Sequence, residues 1–178
     1  LINESCEKGI LDNEAVAMIE GALAVSEMQV RDAMVPRSHM VVIPIENPLE
    51  EFLPLILESG HSRFPVIGED RDEVEGILLA KDLLRQYAEN SGPLNLKEIL
   101  RPAVVIPESK RLNMLLKDFR ASRNHMAIVV DEYGGVSGLI TIEDVLEEIV
   151  GEIDDEHDEE EEASIKALGG NSFRIDAL

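Results

Sequence analysis

An internal repeat constrains the fold of this chain more than any other feature. A pattern of about 55 residues occurs first at 30–87 and again at 96–150. The tetrapeptide Val-Val-Ile-Pro, for example, stands at 41–44 and returns at 104–107. A unit of this size buries too little apolar surface by itself. We therefore expect the two copies to form a pseudo-symmetric pair that shares a core.

Each copy predicts the element order β-α-β-β-α, so the pair predicts an α+β fold. Residues 61–67 and 124–130 are short apolar runs flanked by turn residues, which is typical of buried strands. The segments 76–84 and 138–146 each begin as a strand and end as a helix. A strand-to-helix junction is therefore expected at the end of each copy.

The sequence also predicts where the first helix of each copy begins. Asn47 is the expected cap of a helix over 49–59, with Pro48 at its first position. Ser109 is expected to open the counterpart in the second copy. Pro54 lacks an N–H, so we expect it to kink the first of these helices or end it early.

An amphipathic helix is predicted ahead of the repeat, at residues 12–34. Asp12 or Asn13 offers a cap, and the helix is either continuous or broken into two near Gly21. Its helically spaced apolar positions are Val16, Ile19, Leu23 and Met28.

An acidic run follows the repeat and contains almost nothing that could be buried. Such runs repel themselves and are typical of linkers. Beyond it, Gly169 to Asn171 predict a turn and the last seven residues alternate like a strand. The expected organisation is a helical segment at 1–29, repeat units at 30–90 and 91–151, an acidic linker at 152–163, and the truncated start of a further domain at 164–178.

Composition excludes several classes of function. The net charge of −21 repels phosphate backbones, so nucleic acid is not an expected partner. The single cysteine, Cys6, excludes an internal disulfide and a multi-cysteine zinc site. Aromatic residues make up only 3% of the chain, so the core must be aliphatic. Nor does the sequence contain an apolar run long enough to span a bilayer.

Thr141 and Asp144 stand at the strand-to-helix junction of the second copy. Their spacing is that of a capping box, in which the hydroxyl and the carboxylate satisfy free N–H groups at a helix start. The same position also suits a ligand-binding carboxylate. The two roles are compatible.

The repeat resembles a tandem pair of cystathionine-β-synthase (CBS) domains, known as a Bateman module. The motif Gly-hydrophobic-x-Thr-x-x-Asp stands at 138–144. The segments VRDAMVPRSHM, GHSRFPV and DEYGGVSGLITIEDVLEEIVGEI are similar to the CorC-type magnesium and cobalt efflux family. The final SFRIDAL is similar to the first strand of the transporter-associated CorC/HlyC domain.

This resemblance implies a regulatory module that binds an adenine nucleotide, AMP or ATP. Asp144 would accept hydrogen bonds from the ribose hydroxyls, and Thr141 would bind the phosphate or the ribose edge. The first copy retains Asp82 but has Leu79 where threonine is expected. A weaker or empty site is therefore predicted there.

A nucleotide phosphate on so anionic a chain needs local positive charge. Arg63 and Arg37 are the candidates, although Arg63 could instead form a salt bridge at a strand edge, and Phe64 could be plain core. The resemblance implies a cleft contacted by the start of one copy and the motif of the other. The further expected contacts are Met34, Pro36, Ser62, Phe64 and Pro65 at the first cleft, and Val105, His125 and Met126 at the second.

No metal site and no catalytic site are predicted. The acidic run around His157 is expected to be a solvated linker, and Mg²⁺ is expected only on the phosphates of the nucleotide. The sequence lacks a P-loop, a nucleophile pair and carboxylates with metal-ligand spacing, so it does not favour an enzyme. A purely structural dimerisation module without ligand is the alternative function.

The resemblance also implies partners and a location. CBS pairs often stack into a homodimer, and a membrane transporter or membrane domain is a further expected partner. The expected location is the cytoplasm or the inner face of the plasma membrane.

Overall fold

The computed structural model describes residues 13–89, 95–151, 165–167 and 173–175. Its helices are α1 (Asn13–Glu27), α2 (Val30–Ala33), α3 (Leu49–Ser59), α4 (Ala80–Glu89), α5 (Leu96–Ile99), α6 (Leu112–Ser122) and α7 (Ile142–Val150), with a 3-10 turn at Arg37–His39. Its strands are β1 (Val35–Pro36), β2 (Ile43–Pro44), β3 (Arg63–Ile67), β4 (Val74–Leu79), β5 (Val105–Pro107), β6 (Met126–Val130), β7 (Val136–Thr141), β8 (Ile165–Ala167) and β9 (Phe173–Ile175).

The two copies of the sequence repeat fold in the same way. In the first unit, β2 runs parallel to β3, and β3 runs antiparallel to β4. In the second unit, β5, β6 and β7 pair in the same manner. The helices α3 and α6 connect the parallel strands, as expected for a crossover connection. The predicted α+β fold with two β-α-β-β-α units is confirmed.

The first residues of each unit pair with the last strand of the other unit. Strand β1 lies antiparallel to β7, with Val35 opposite Leu139. A Cβ at Gly138 would collide with the carbonyl oxygen of Val35, so this close pairing requires glycine. At the equivalent place in the first sheet, Ile77 and Arg101 exchange backbone hydrogen bonds of 2.8 and 3.0 Å. The exchange ties the two units together and brings the start of each beside the last strand of the other.

The core consists of three groups of apolar side chains. One lies within the first unit, one lies within the second unit together with α1 and α2, and the third lies between the units. The third group is formed by Met40, Ile77, Leu79, Met126, Ile128, Val136 and Leu139. These side chains are aliphatic, as the composition requires, and the shared core predicted from the repeat is present.

The N-terminal helix breaks later than predicted. Helix α1 passes through Gly21 without interruption and ends at Glu27, and α2 begins at Val30. Gly21 has a packing role instead, because a Cβ there would collide with the carbonyl oxygen of Ile149 in α7. The break falls where the carboxylate of Asp32 accepts a hydrogen bond of 2.8 Å from the N–H of Gln29.

Two predicted helix starts need correction. The cap of α3 is Pro48 rather than Asn47, and the cap of α6 is Arg111 rather than Ser109. The later start of α6 follows from a tertiary contact, since the N–H of Leu112 donates to the carbonyl of Met28 at 3.1 Å. That contact lies far away in sequence and could not be foreseen from the local pattern.

Pro54 does not end its helix. Helix α3 continues past it to Ser59. The side chains of Phe52 and Ile56, on either side of the proline, are 2% and 7% exposed and pack in the core of the first unit. Burial of these two side chains holds the helix together across the missing hydrogen bond.

A short hairpin stands at the C-terminal end of the described residues. Strands β8 and β9 pair antiparallel, with Lys166 opposite Arg174. The predicted strand in the last seven residues is thus found at Phe173–Ile175. The acidic linker, including His157, and the turn predicted at 169–171 lie outside the described residues.

Candidate functional site

A cavity of about 390 Å³ lies between the two units. Its walls come from the start of the first unit, from the start of β3 and from the junction between β7 and α7. The lining residues are Val35, His39, Met40, Val41, Gly60, His61, Ser62, Arg63, Met126, Leu139, Thr141, Glu143 and Asp144. The cavity thus combines the start of one unit with the junction motif of the other, which is the arrangement that the family resemblance implied.

Thr141 and Asp144 form a complete capping box at the start of α7. Asp144 Oδ2 accepts hydrogen bonds from the N–H of Thr141 at 2.6 Å and from its hydroxyl at 2.8 Å. The hydroxyl oxygen in turn accepts from the N–H of Asp144 at 3.3 Å. The local structure therefore fulfils the capping role and fixes the orientation of both side chains.

The capping box leaves part of Asp144 available to a ligand. Both of its side-chain hydrogen bonds go to Oδ2, and within the described residues none reaches Oδ1. Asp144 is half-buried and lines the cavity. A carboxylate oxygen with unused lone pairs in a partly enclosed cavity is suited to accept hydrogen bonds from hydroxyl groups.

Arg63 supplies the positive charge in this cavity. It is the first residue of β3 and lies opposite Leu79 in the sheet. Within the described residues it forms no ion pair, so the alternative of a strand-edge salt bridge is not supported. Among the residues that the structure describes, its guanidinium group therefore has no carboxylate partner.

Arg37, the other cationic candidate, is placed differently. It does not line the cavity, and its guanidinium group contacts Asp70 at 3.4 Å and Asp72 at 2.5 Å. It also donates to the carbonyl of Val136 at 3.2 Å. Arg37 thus joins the β3–β4 turn to the second unit.

The Asp72 carboxylate completes this link between the units. It accepts a hydrogen bond of 2.7 Å from the N–H of Val136. The hydrogen bond from Arg37 and, after it, the one from Val136 hold the pKa of Asp72 below its ordinary value of 3.8. The charged form of Asp72 is therefore the one that joins the two units.

The remaining residues predicted at the first cleft divide into two groups. Ser62, predicted at this cleft, lines the cavity with Arg63, Thr141 and Asp144. Met126, which was predicted at the second cleft, lines this cavity as well. Four others do not line it, and among them Phe64 is fully buried in the core of the first unit. These four are Met34, Pro36, Phe64 and Pro65.

A second cavity, of about 210 Å³, occupies the equivalent place on the other side of the pair. It is lined by Arg63, Ile77, Leu79, Lys81, Arg101, Pro102, Arg123, Asn124, His125 and Met126. His125 and Met126 were predicted there, whereas Val105 is 56% exposed and lies outside the lining.

The aspartate of the second cleft is engaged by an arginine. Asp82 Oδ2 accepts hydrogen bonds from Arg101 Nε at 3.0 Å and from Arg101 Nη2 at 2.7 Å. Leu79 stands where Thr141 stands in the other unit, so no hydroxyl orients this carboxylate. Asp82 itself does not line the cavity.

Sequence reasoning missed several residues of the first cavity. His39, Val41, His61 and Glu143 line it, but none was singled out as a contact. The repeat relates His39, His61 and Glu143 to three residues that line the second cavity, namely Pro102, Asn124 and Lys81. The two cavities therefore draw on equivalent positions, which only the structure reveals.

Neither a metal centre nor a membrane span is found in the part of the chain that the structure describes. There, no three His, Cys, Asp or Glu side chains cluster closely enough to hold a metal ion. Of the helices described, none has both the length and the apolar composition needed to cross a membrane.

Comparison with protein families gives a match over most of the chain. The CBS domain family model matches residues 30–89 and 96–151. The chain is 53% identical to a magnesium and cobalt efflux protein CorC of Vibrio cholerae, over all 178 residues. It spans only 61% of the length of that curated relative.

Solved structures with the same fold include complexes with nucleotides. One is the CBS domain of a bacterial CNNM/CorC family Mg²⁺ transporter in complex with ATP, with 46% identity and a TM-score of 0.71 over 77% of this chain and 97% of that one. Another is a CBS-domain pair with bound AMP from Klebsiella pneumoniae, with 30% identity and a TM-score of 0.64 over 70% of this chain and 100% of that one.

Proposed function

Because this chain belongs to the CBS domain family, as a tandem CBS pair of the CorC type, we propose that it is a regulatory module that binds an adenine nucleotide in the first cavity. One observation carries the proposal: Thr141 and Asp144 line the same cavity as Arg63 of the other unit. Hydroxyl-binding and phosphate-binding groups are therefore available to the same ligand. The ATP and AMP complexes of similar CBS pairs support this choice of ligand.

Six of the lining residues have a role in the proposed complex. Asp144 Oδ1 accepts a hydrogen bond from a ribose hydroxyl. Thr141 orients Asp144 and contacts the phosphate or the edge of the ribose. Arg63 pairs with the phosphate, and Ser62 adds a hydroxyl beside it. Met40 and Met126 are apolar side chains suited to contact the base. Mg²⁺, where present, arrives on the phosphates.

Regulation follows from the position of the cavity. A ligand that contacts both units favours the arrangement in which its contacts are best, and differential affinity for two arrangements is what drives such a shift. We propose that this change in arrangement acts on a CorC-type membrane transporter or membrane domain. The pair acts as a homodimer in the cytoplasm or at the inner face of the plasma membrane. Its role is regulatory rather than catalytic.

Calorimetry with AMP and with ATP, in the presence and absence of Mg²⁺, tests the binding. We expect Asp144→Asn to weaken binding by roughly 10- to 100-fold, since a charged hydrogen-bond acceptor is lost. The matched control is Asp82→Asn at the equivalent position, which should retain the affinity of the unmodified chain. Arg63→Gln should weaken ATP binding more than adenosine binding.

Two results would overturn the proposal. One is the absence of both heat and thermal stabilisation at millimolar nucleotide in folded protein. The other is equal nucleotide affinity for the unmodified chain and Asp144→Asn. Since Asp144 also caps α7, the thermal unfolding of each variant must be measured beside its binding. Retained dimerisation with no nucleotide binding would favour the structural alternative.

A further inference from the structure

The two cavities occupy equivalent places in the repeat but differ in charge. Among the described residues, Glu143 and Asp144 line the first cavity, and Arg63 is its only Lys or Arg lining residue. The second cavity has no acidic lining residue among those that the structure describes, and it contains 4 of the 16 Lys and Arg residues of the chain, namely Arg63, Lys81, Arg101 and Arg123. Arg101 is paired with Asp82, but the other three cations make this cavity locally favourable to an anion on a chain with a net charge of −21.

Arg123, one of the cations that line the second cavity, has an unfavourable backbone conformation. It is the cap that ends α6 and has a φ of 56°, in the left-handed region. The residue that ends α3 at the equivalent position is Gly60, with a φ of 65°. Glycine adopts this conformation without strain, whereas other residues lose about 1 kcal/mol. The second unit therefore has a cavity-lining arginine where the backbone favours glycine.

The same cavity is poorly suited to a nucleoside. Its volume of about 210 Å³ is roughly half that of the first cavity. Asp82 is already bonded to two nitrogen atoms of Arg101, and Leu79 replaces the threonine. Arg63, Lys81 and Arg123, by contrast, form no ion pair within the described residues, so their charges are available to an anion.

We infer that the second cavity is a binding site for an oligophosphate group, and that no sugar is bound in this cavity. Several cations around a small cavity match the charge density of linked phosphates, and arginine binds phosphate through paired hydrogen bonds. Arg63 and Met126 line both cavities, so the two cavities adjoin. The oligophosphate is either free pyrophosphate or the terminal phosphates of a nucleotide whose ribose lies on Asp144.

The test is calorimetry with inorganic pyrophosphate at constant ionic strength. The decisive variant is Arg123→Gly, which introduces the residue found in the first unit and relieves the left-handed strain. We expect it to fold at least as stably as the unmodified chain and to bind pyrophosphate about tenfold more weakly. The matched control is Arg120→Gln, an exposed arginine of the same helix outside the cavity, which should bind as the unmodified chain does.

Two further binding measurements distinguish phosphates that belong to a nucleotide from free pyrophosphate. If they are the tail of a nucleotide, Arg123→Gly weakens ATP binding and leaves AMP binding unchanged. If the anion is free, pyrophosphate binds in the presence of saturating ATP, and the variant leaves both nucleotide affinities unchanged. Either result supports the site.

The proposed oligophosphate site can be tested independently of the proposed nucleotide binding. Asp144→Asn should retain the pyrophosphate affinity even where it loses nucleotide binding. The inference is overturned if the unmodified chain does not bind pyrophosphate at millimolar concentration, or if Arg123→Gly binds it as tightly as the unmodified chain.

Discussion

The equivalent aspartates Asp144 and Asp82 differ in their hydrogen bonds, because a different side chain lies beside each of them. Asp144 is oriented by the Thr141 hydroxyl, which leaves Oδ1 without a hydrogen bond among the described residues. Asp82 has Leu79 in place of that hydroxyl and is bonded by Arg101 instead. The threonine therefore decides which aspartate keeps an oxygen atom without a hydrogen bond among the described residues, and under the proposed function this is the aspartate that binds the ligand. This departure from the repeat accounts for the different hydrogen bonding of the two aspartates.

Asp72 permits a prediction of pH dependence. Its folded pKa lies below the ordinary 3.8, so its contribution to stability is complete above that value and is lost as the pH falls through the lowered folded pKa. Asp72→Asn should lower the free energy of unfolding at neutral pH. The difference from the unmodified chain should shrink in acid, well below pH 3.8.

Urea unfolding across this pH range measures the effect. Glu51→Gln is the control, because Glu51 is exposed and should change stability little at any pH. A destabilisation by Asp72→Asn that stays constant into acid would contradict the assignment of the link to the charged carboxylate.

Helix α3 illustrates how packing overrides local sequence preference. Proline in a helix interior removes one hydrogen bond, here the bond to the carbonyl of Glu50. The helix persists because Phe52 and Ile56 are buried on its inner face, while Pro54 is exposed. The core of the first unit thus stabilises a helix that its sequence disfavours.

Pro54→Ala should consequently stabilise the protein. Alanine restores the missing N–H and has the higher helix propensity, so we expect a gain of about 1–3 kcal/mol in the free energy of unfolding. Equilibrium urea denaturation checks it, with Glu58→Ala on the same exposed face as a control for the alanine substitution. No gain, or a loss, would show that the proline is accommodated without cost.

The repeat made much of the whole molecule predictable. It indicated two units of the same element order with a shared core, while the composition predicted that the core is aliphatic. The cleft between the start of one unit and the junction of the other was implied by the family resemblance. Features that depend on contacts between distant residues were not predictable. Arg37 was expected at the cleft, but it pairs with Asp70 and Asp72, and no local pattern indicated that partnership.

The same symmetry permits a prediction about assembly. Leu84 in α4 and Leu146 in α7 occupy equivalent positions in the two units, and their side chains are 64% and 44% exposed. Apolar side chains repeated on two helices of one pseudo-symmetric molecule suit a self-complementary interface between two copies. We expect the unmodified chain to be a homodimer and the double variant Leu84→Glu with Leu146→Glu to be a monomer.

Light scattering coupled to size-exclusion chromatography measures the mass of each species. Tyr133→Glu is the control, because Tyr133 is 91% exposed in the turn between β6 and β7 and should leave the mass unchanged. A monomeric unmodified chain, or a double variant that remains dimeric, would exclude these helices as the interface. Under the proposed function a nucleotide in the first cavity contacts both units, so coupling of binding to assembly predicts that saturating ATP shifts the dimer dissociation constant.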